Sequence, residues 1–166
     1  MRRHERRARD SFSRTFLRDD RCDDLVGDHS LRPNQLLAVS LPFAPLSERS
    51  VVKSCASLLT SLGLRSLDPA DPAYLGRHRG DPGARDSAYH QGTVWPWLIG
   101  PYVEAALKTD TDTDGLLDGL EAHLSEWGLG SVSETADGEA PHAATGCPFQ
   151  AWSVAEMLRA RRLLGR

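Results

Sequence analysis

The sequence predicts an all-α fold, and three observations predict it. Six segments place apolar residues at helical spacing, no two alternating runs are joined by a hairpin turn, and one helix-loop-helix unit occurs twice. The first segment runs from about 5 to 18, where Phe12, Phe16 and Leu17 form the packed stripe of an arginine-rich helix. Pro33 near the start and apolar residues at 36, 37, 39 and 41 make a short buried helix from 32 to 41, although Leu37, Val39 and Leu41 also alternate as a strand would. Val51, Val52, Cys55, Leu58 and Leu62 give an amphipathic helix from about 47 to 61, with Ser47 as its cap and Gly63 as a left-handed stop.

From 94 to 107 the pattern continues as a helix with Thr93 as cap and Pro96 in the first turn, where a missing N–H costs little; a bend is expected at Gly100-Pro101. Leu116, Leu117, Leu120, Leu124 and Trp127 share one face of a helix from about 114 to 127, which Gly128 can close. His123 beside that stripe reads as a packed or edge histidine, because no other His or Cys accompanies it at metal spacing. The last helix starts at Pro148 and runs to about 164 with Trp152, Val154, Met157 and Leu158 on a broad apolar face. Residues 1–24 form a basic lead helix ahead of one domain spanning 25–166.

The repeat organises these helices. Leu59-Thr-Ser-Leu-Gly-Leu-Arg-Ser-Leu67 resembles Leu124-Ser-Glu-Trp-Gly-Leu-Gly-Ser-Val132, and each copy leads through a long polar segment to a helix start rich in Gly, Pro and Trp. Helical hairpins of this kind bury their apolar faces only by stacking, into a solenoid or a closed toroid, so the two long loops are expected on one rim as walls of a binding site.

Charge and composition exclude several classes. The chain has 166 residues, a net charge of −3 and 26% charged residues, which disfavours a nucleic-acid surface. Residues 1–21 hold eight arginines against four acids, a net of +4 that leaves −7 for the rest; the interleaved acids fit a solvated amphipathic helix better than an arm for an acidic partner. No run of 18 apolar residues exists, so no membrane association is expected. Three cysteines at wide spacing without C-x-x-C suit a reducing compartment, hence the cytoplasm.

The loop inventory suits a sugar. Aromatic faces stack on pyranose C–H bonds while carboxylates, amides and arginine bind hydroxyls, and Trp95, Trp97, Trp152, Tyr89, Asn34 and Gln35 supply both kinds. Asp68, Asp71 and Asp81, each before a proline, read as turn initiators. Inverting glycoside hydrolysis needs one protonated and one ionised carboxyl group about 6.5 to 9.5 Å apart. Glu134, after the short apolar-lined segment Gly130-Ser-Val-Ser, is the carboxylate with the best setting for such work.

Four co-ordered motifs carry a resemblance. They are Leu31-Arg-Pro-Asn-Gln-Leu-Leu-Ala-Val-Ser-Leu-Pro42, the stretch Tyr89-His-Gln-Gly-Thr-Val-Trp-Pro-Trp-Leu-Ile-Gly-Pro101 with Asp81 and Asp86 ahead of it, Gly130-Ser-Val-Ser-Glu134, and Gly146-Cys-Pro-Phe-Gln-Ala-Trp-Ser-Val-Ala-Glu156. Together, over about 25–162, they resemble the C-terminal end of the amylo-alpha-1,6-glucosidase domain of glycogen-debranching enzymes. The resemblance implies half of an (α/α)6 toroid, and hydrolysis of α-1,6-linked glucose at branch points of glycogen or another branched α-glucan, with inversion and without metal or organic cofactor. It makes Glu134 the general base and puts Arg32, Asn34, Gln35, Tyr89, His90, Trp95, Gln150 and Trp152 near the glucose. The family's general acid, an aspartate in a Trp-x-Asp segment upstream of Arg-Pro-Asn-Gln, has no counterpart here. The chain is therefore expected to be inactive or nearly so alone and to work with a chain supplying the other half. A non-catalytic carbohydrate-binding or docking fragment, and another toroidal sugar isomerase or lyase, are the alternatives.

Overall fold

The lead segment is helical because nothing in it interrupts a helix and Phe12 and Phe16 meet one turn apart, ring centroids 5.0 Å from each other. A computed structural model gives the fold over residues 2–166. In chain order its elements are α1 (Arg2–Phe16), α2 (Leu37–Ser40), α3 (Arg49–Ser54), β1 (Leu59–Thr60), β2 (Gly63–Arg65), α4 (Pro82–Ala88), β3 (Val94–Trp95), α5 (Ile99–Lys108), α6 (Asp118–His123), β4 (Thr135–Ala136), β5 (Ala144–Thr145) and α7 (Ala151–Leu163), with 3-10 turns at Pro33–Leu36, Cys55–Leu58 and Pro96–Leu98.

The five strands form one antiparallel sheet in the order β1-β2-β3-β4-β5, so the fold is mixed and the all-α half toroid does not describe it. The physical reason is the length of the strands. Each has two or three residues, too few to show period-two alternation, and β2, β3 and β4 pair across long stretches of sequence: Leu64 faces Trp95 and Val94 faces Ala136. β1 and β2 form a tight hairpin around Ser61 and Leu62, and β4 and β5 a wider one across residues 137–143. The two segments expected as free rim loops instead supply strands and bind one another: Arg65 donates from Nε to Gly138 O at 2.8 Å, and Glu139 N–H to Gly76 O at 3.2 Å.

Several helices are shorter than their apolar stripes. The segment from 32 to 41 is helical, as a 3-10 turn running into α2, with Arg32 extended because Pro33 follows it. Gly63 does not cap α3; it lies in β2 at φ 137°, pressed against Pro96 and Trp95. Val94 and Trp95 are strand, and α5 begins only at Ile99. Pro101 consequently occupies the first turn, where its missing N–H is not needed, and the helix runs on through it. The stripe from 114 to 127 keeps only α6 as α-helix, between turns at Gly115 and Gly128, both with positive φ.

The core lies around α5. Ile99, Tyr102, Val103, Ala105 and Ala106 are buried on it and pack with α2, α3 and α7, while Leu36, Val51, Val52, Leu58, Leu64, Leu117 and Leu120 close the interior. Gly100 lets the α7 side chain Glu156 approach: a Cβ there would overlap its carboxylate. Arg159 then binds Glu104 and Glu156 together, tying α7 to α5. No helix among the described residues is long and apolar enough to cross a membrane.

Candidate active site

A cavity of about 550 Å³ opens between the Arg32–Asn34 segment, the turn after α4, β3 and the first turn of α7. Asp81 builds one side of it. Its Oδ1 accepts the Ala84 N–H at 2.8 Å and Pro82 takes the first helical position, so α4 starts there and ends at Ala88, delivering Tyr89 and His90 on the following turn. Trp95 on β3 donates its indole N–H to Tyr89 O at 3.0 Å, and the His90 ring stacks on it at 5.6 Å and 5°. Trp152 meets Trp95 edge-on at 5.9 Å and Trp97 at the same distance, tilted by 31°. Trp95 is 5% exposed and Trp152 48%, so the first braces the wall and the second presents a free face.

Arg32 holds this wall in place. Its guanidinium donates to His90 O at 2.6 Å, Gln91 Oε1 at 2.6 Å and Ser66 O at 3.1 Å, using its fork on the protein itself. Asn34 donates to Asp24 Oδ2 at 2.6 Å, and both line the cavity. Gln35 lies beneath it, buried, accepting from Cys22 N–H and donating to Arg32 O.

Glu134 stands one residue behind the aromatic wall. Its Oε1 accepts from Tyr89 Oη at 2.6 Å and its Oε2 from Cys147 N–H at 2.9 Å, while Glu134 N–H returns a bond to Cys147 O at 2.8 Å. Tyr89 bridges the two regions, its ring 4.6 Å from Trp95 and 5.0 Å from His90. Burial first, then the bond to Glu134 and its charge, push the Tyr89 hydroxyl up to about 12, so it remains a donor at every physiological pH. His78 packs against Tyr89 at 5.3 Å; burial and then the Arg85 charge hold its imidazolium below the usual range, against Glu134 and Asp137. Beside it Asp137, 5% exposed, accepts the His78 N–H at 3.0 Å and the Arg79 Nε at 2.8 Å.

Of the residues singled out in the sequence, Arg32, Asn34, His90, Trp95, Trp97 and Trp152 line the cavity itself. Tyr89 and Glu134 form a pair behind it, and Gln150 is held near both through its N–H bond to Val132 O at 3.1 Å. Asp24, Ser66 and Gln91 also line the cavity and were not signalled. Asp24 sat in a charged stretch without periodicity, and Ser66 reaches the site through β2 pairing that no local pattern encodes. Asp68 and Asp71 accept from Ala70 and Ala73 N–H groups at 2.8 Å, which makes them turn formers outside the site. Among the described residues no three His, Cys, Asp or Glu side chains are grouped as metal ligands.

The arrangement offers stacking faces, acceptor carboxylates and an oriented carboxylate beside them, which is the equipment of a sugar site. The family model described as amylo-alpha-1,6-glucosidase matches residues 2–159, nearly the whole chain and all four motifs. The chain belongs to the amylo-alpha-1,6-glucosidase family, the C-terminal domain of glycogen-debranching enzymes.

Proposed function

We propose that this chain supplies the general base and part of the glucose pocket of an inverting α-1,6-glucosidase acting on glycogen or a related branched α-glucan. The observation that carries it is the 2.6 Å bond from Tyr89 to Glu134, which joins an oriented carboxylate to the aromatic wall of a sugar-sized cavity. In this reading Glu134 takes a proton from the water that attacks the anomeric carbon as the bond to the leaving oxygen breaks. Tyr89 and the Cys147 N–H keep the carboxylate aimed while it does so. His90 and Trp152 offer faces to the glucose ring with Trp95 backing them, Asn34 binds hydroxyls, and Arg32, Gln35 and Gln150 hold the backbone that presents them.

The leaving oxygen must be protonated by a second carboxyl group, which the family keeps in a Trp-x-Asp segment that this sequence lacks. That segment, wherever it is carried, completes the site, and these 166 residues alone have little activity, since losing a general acid costs roughly 10²- to 10⁴-fold. Three free cysteines support a cytoplasmic setting. The test is glucose titration followed by tryptophan fluorescence, alongside glucose release from a branched limit dextrin. Saturable quenching lost in Trp152→Ala, with no glucose released, is expected. Hydrolysis by the purified chain that Glu134→Gln abolishes would overturn the two-part site; absence of any saccharide-dependent signal would overturn the pocket.

A further inference from the structure

We propose that His123 is a positioning residue for Glu134, serving as the acceptor that holds the backbone N–H of Ser133, the residue immediately before the carboxylate. The inference rests on the reading of Glu134 as the base. His123 ends α6 and is 1% exposed. Its Nε2 lies 3.4 Å from Ser133 N, and its Nδ1 lies 3.1 Å from Glu126 Oε2. A backbone N–H only donates, so Nε2 must be bare, and the ring proton sits on Nδ1 facing the Glu126 carboxylate. The two partners together select one tautomer.

The position needs such a side chain. The stretch from 130 to 134 belongs to no helix or strand, and its N–H groups find acceptors one at a time: Gly130 uses Leu124 O at 2.7 Å, Ser131 uses Gly128 O at 3.0 Å and Glu134 uses Cys147 O at 2.8 Å. Ser133 is fully buried and cannot turn to water, and among the described residues His123 is the acceptor its N–H has. The chain is thus held on both sides of Ser133, the Val132–Ser133 peptide from α6 and the Ser133–Glu134 peptide from Cys147. Releasing the α6 side leaves the Val132–Ser133 peptide anchored only at Val132 O, by Gln150 N–H, so the chain leading into Glu134 loosens and the carboxylate loses its fixed distance to Tyr89. Glu126, on the His123 turn, and His142 line the same cavity of about 490 Å³ as the ring.

Nuclear magnetic resonance on the folded chain tests this without any sugar, so its failure is separate from failure of the pocket. Long-range ¹H–¹⁵N spectra should show the Nδ1–H tautomer at His123, and the Ser133 amide proton should be protected from exchange. His123→Gln, whose Oε1 can take the place of Nε2, should keep both the Ser133 amide and the Tyr89 hydroxyl proton protected. His123→Phe, which fills the space without an acceptor, should lose both. An Nε2–H tautomer, an unprotected Ser133 amide, or a folded His123→Phe protein with Tyr89 still protected would each overturn the proposal. Should His123→Phe fail to fold, the wild-type tautomer and the glutamine variant decide.

Discussion

Gly146 decides where the Glu134 carboxylate can lie. It sits at φ 71°, and a Cβ on it would be 2.6 Å from Glu134 Oε2 and 2.9 Å from Thr135 Oγ1. Gly146→Ala should therefore destabilise the fold by about 1–3 kcal/mol in urea titrations and displace the carboxylate from the Cys147 N–H, visible as a shifted Cys147 amide resonance. Tyr89 carries a pH signature as well. Its hydroxyl ionises near 12 in the folded chain against an ordinary value of 10.0, so the neutral form is favoured by folding. That contribution is complete below pH 10.0 and is lost as pH rises through the window to about 12. Urea midpoints measured across that window should fall less steeply in Tyr89→Phe than in the wild type; equal slopes would contradict the burial and the Glu134 bond that together raise the hydroxyl. The thiols divide in the same way, since burial pushes Cys55 up to about 12 and Cys22 to about 11 while Cys147 is exposed. Alkylation of the native protein at pH 8 should give one adduct, at Cys147, and three only after unfolding, as read by mass spectrometry.

At the scale of elements, the short sheet depends on close approach. β2 can lie under the Trp95-Pro96 step only because Gly63 has no side chain: a Cβ would be 2.7 Å from Pro96 Cα and from Trp95 O, both backbone atoms that cannot step aside. Gly63→Ala should cost about 3 kcal/mol and loosen the wall that carries Trp95, seen as a red-shifted tryptophan emission. An unchanged midpoint would mean that β2 and β3 are not so tightly joined. The capping role of Asp81 is of a milder kind. Losing its bond to Ala84 N–H in Asp81→Ala should cost about 1 kcal/mol, chiefly by fraying α4 and the Tyr89–His90 turn that follows it. These elements were unequally legible. Helix α7 and the helical character of 32–41 could be read from apolar spacing, because helices are local. Strands of two residues cannot be read this way, and the stripe from 114 to 127 overstated α6 because the same leucines pack inward from turns as well as from a helix.

Across the whole molecule, the two long polar segments are the counterpart of one another. Asp137 is the knot between them, a buried carboxylate bound by the His78 N–H and by Arg79, whereas Arg77 and Glu139 pair at 2.9 Å in the open, 71% and 48% exposed. Burial decides which pair matters. Asp137→Ala leaves the buried His78 N–H without its acceptor and should cost about 1–3 kcal/mol. Glu139→Ala should change stability by under about 1 kcal/mol, because water screens the exposed pair. Equal effects in chemical denaturation would contradict this account. The sequence by itself determined the family, the helical character of α7 and of 32–41, and the side chains suited to a sugar, because those reside in motifs of contiguous residues and in local periodicity. Only the tertiary structure decided that the fold contains a sheet, that Arg32 braces rather than offers its charge, that Asp24 reaches the cavity and that His123 meets the Ser133 N–H. Each of these depends on antiparallel pairing or packing between residues far apart in the chain, and no local pattern records which distant backbone a strand of two residues will meet.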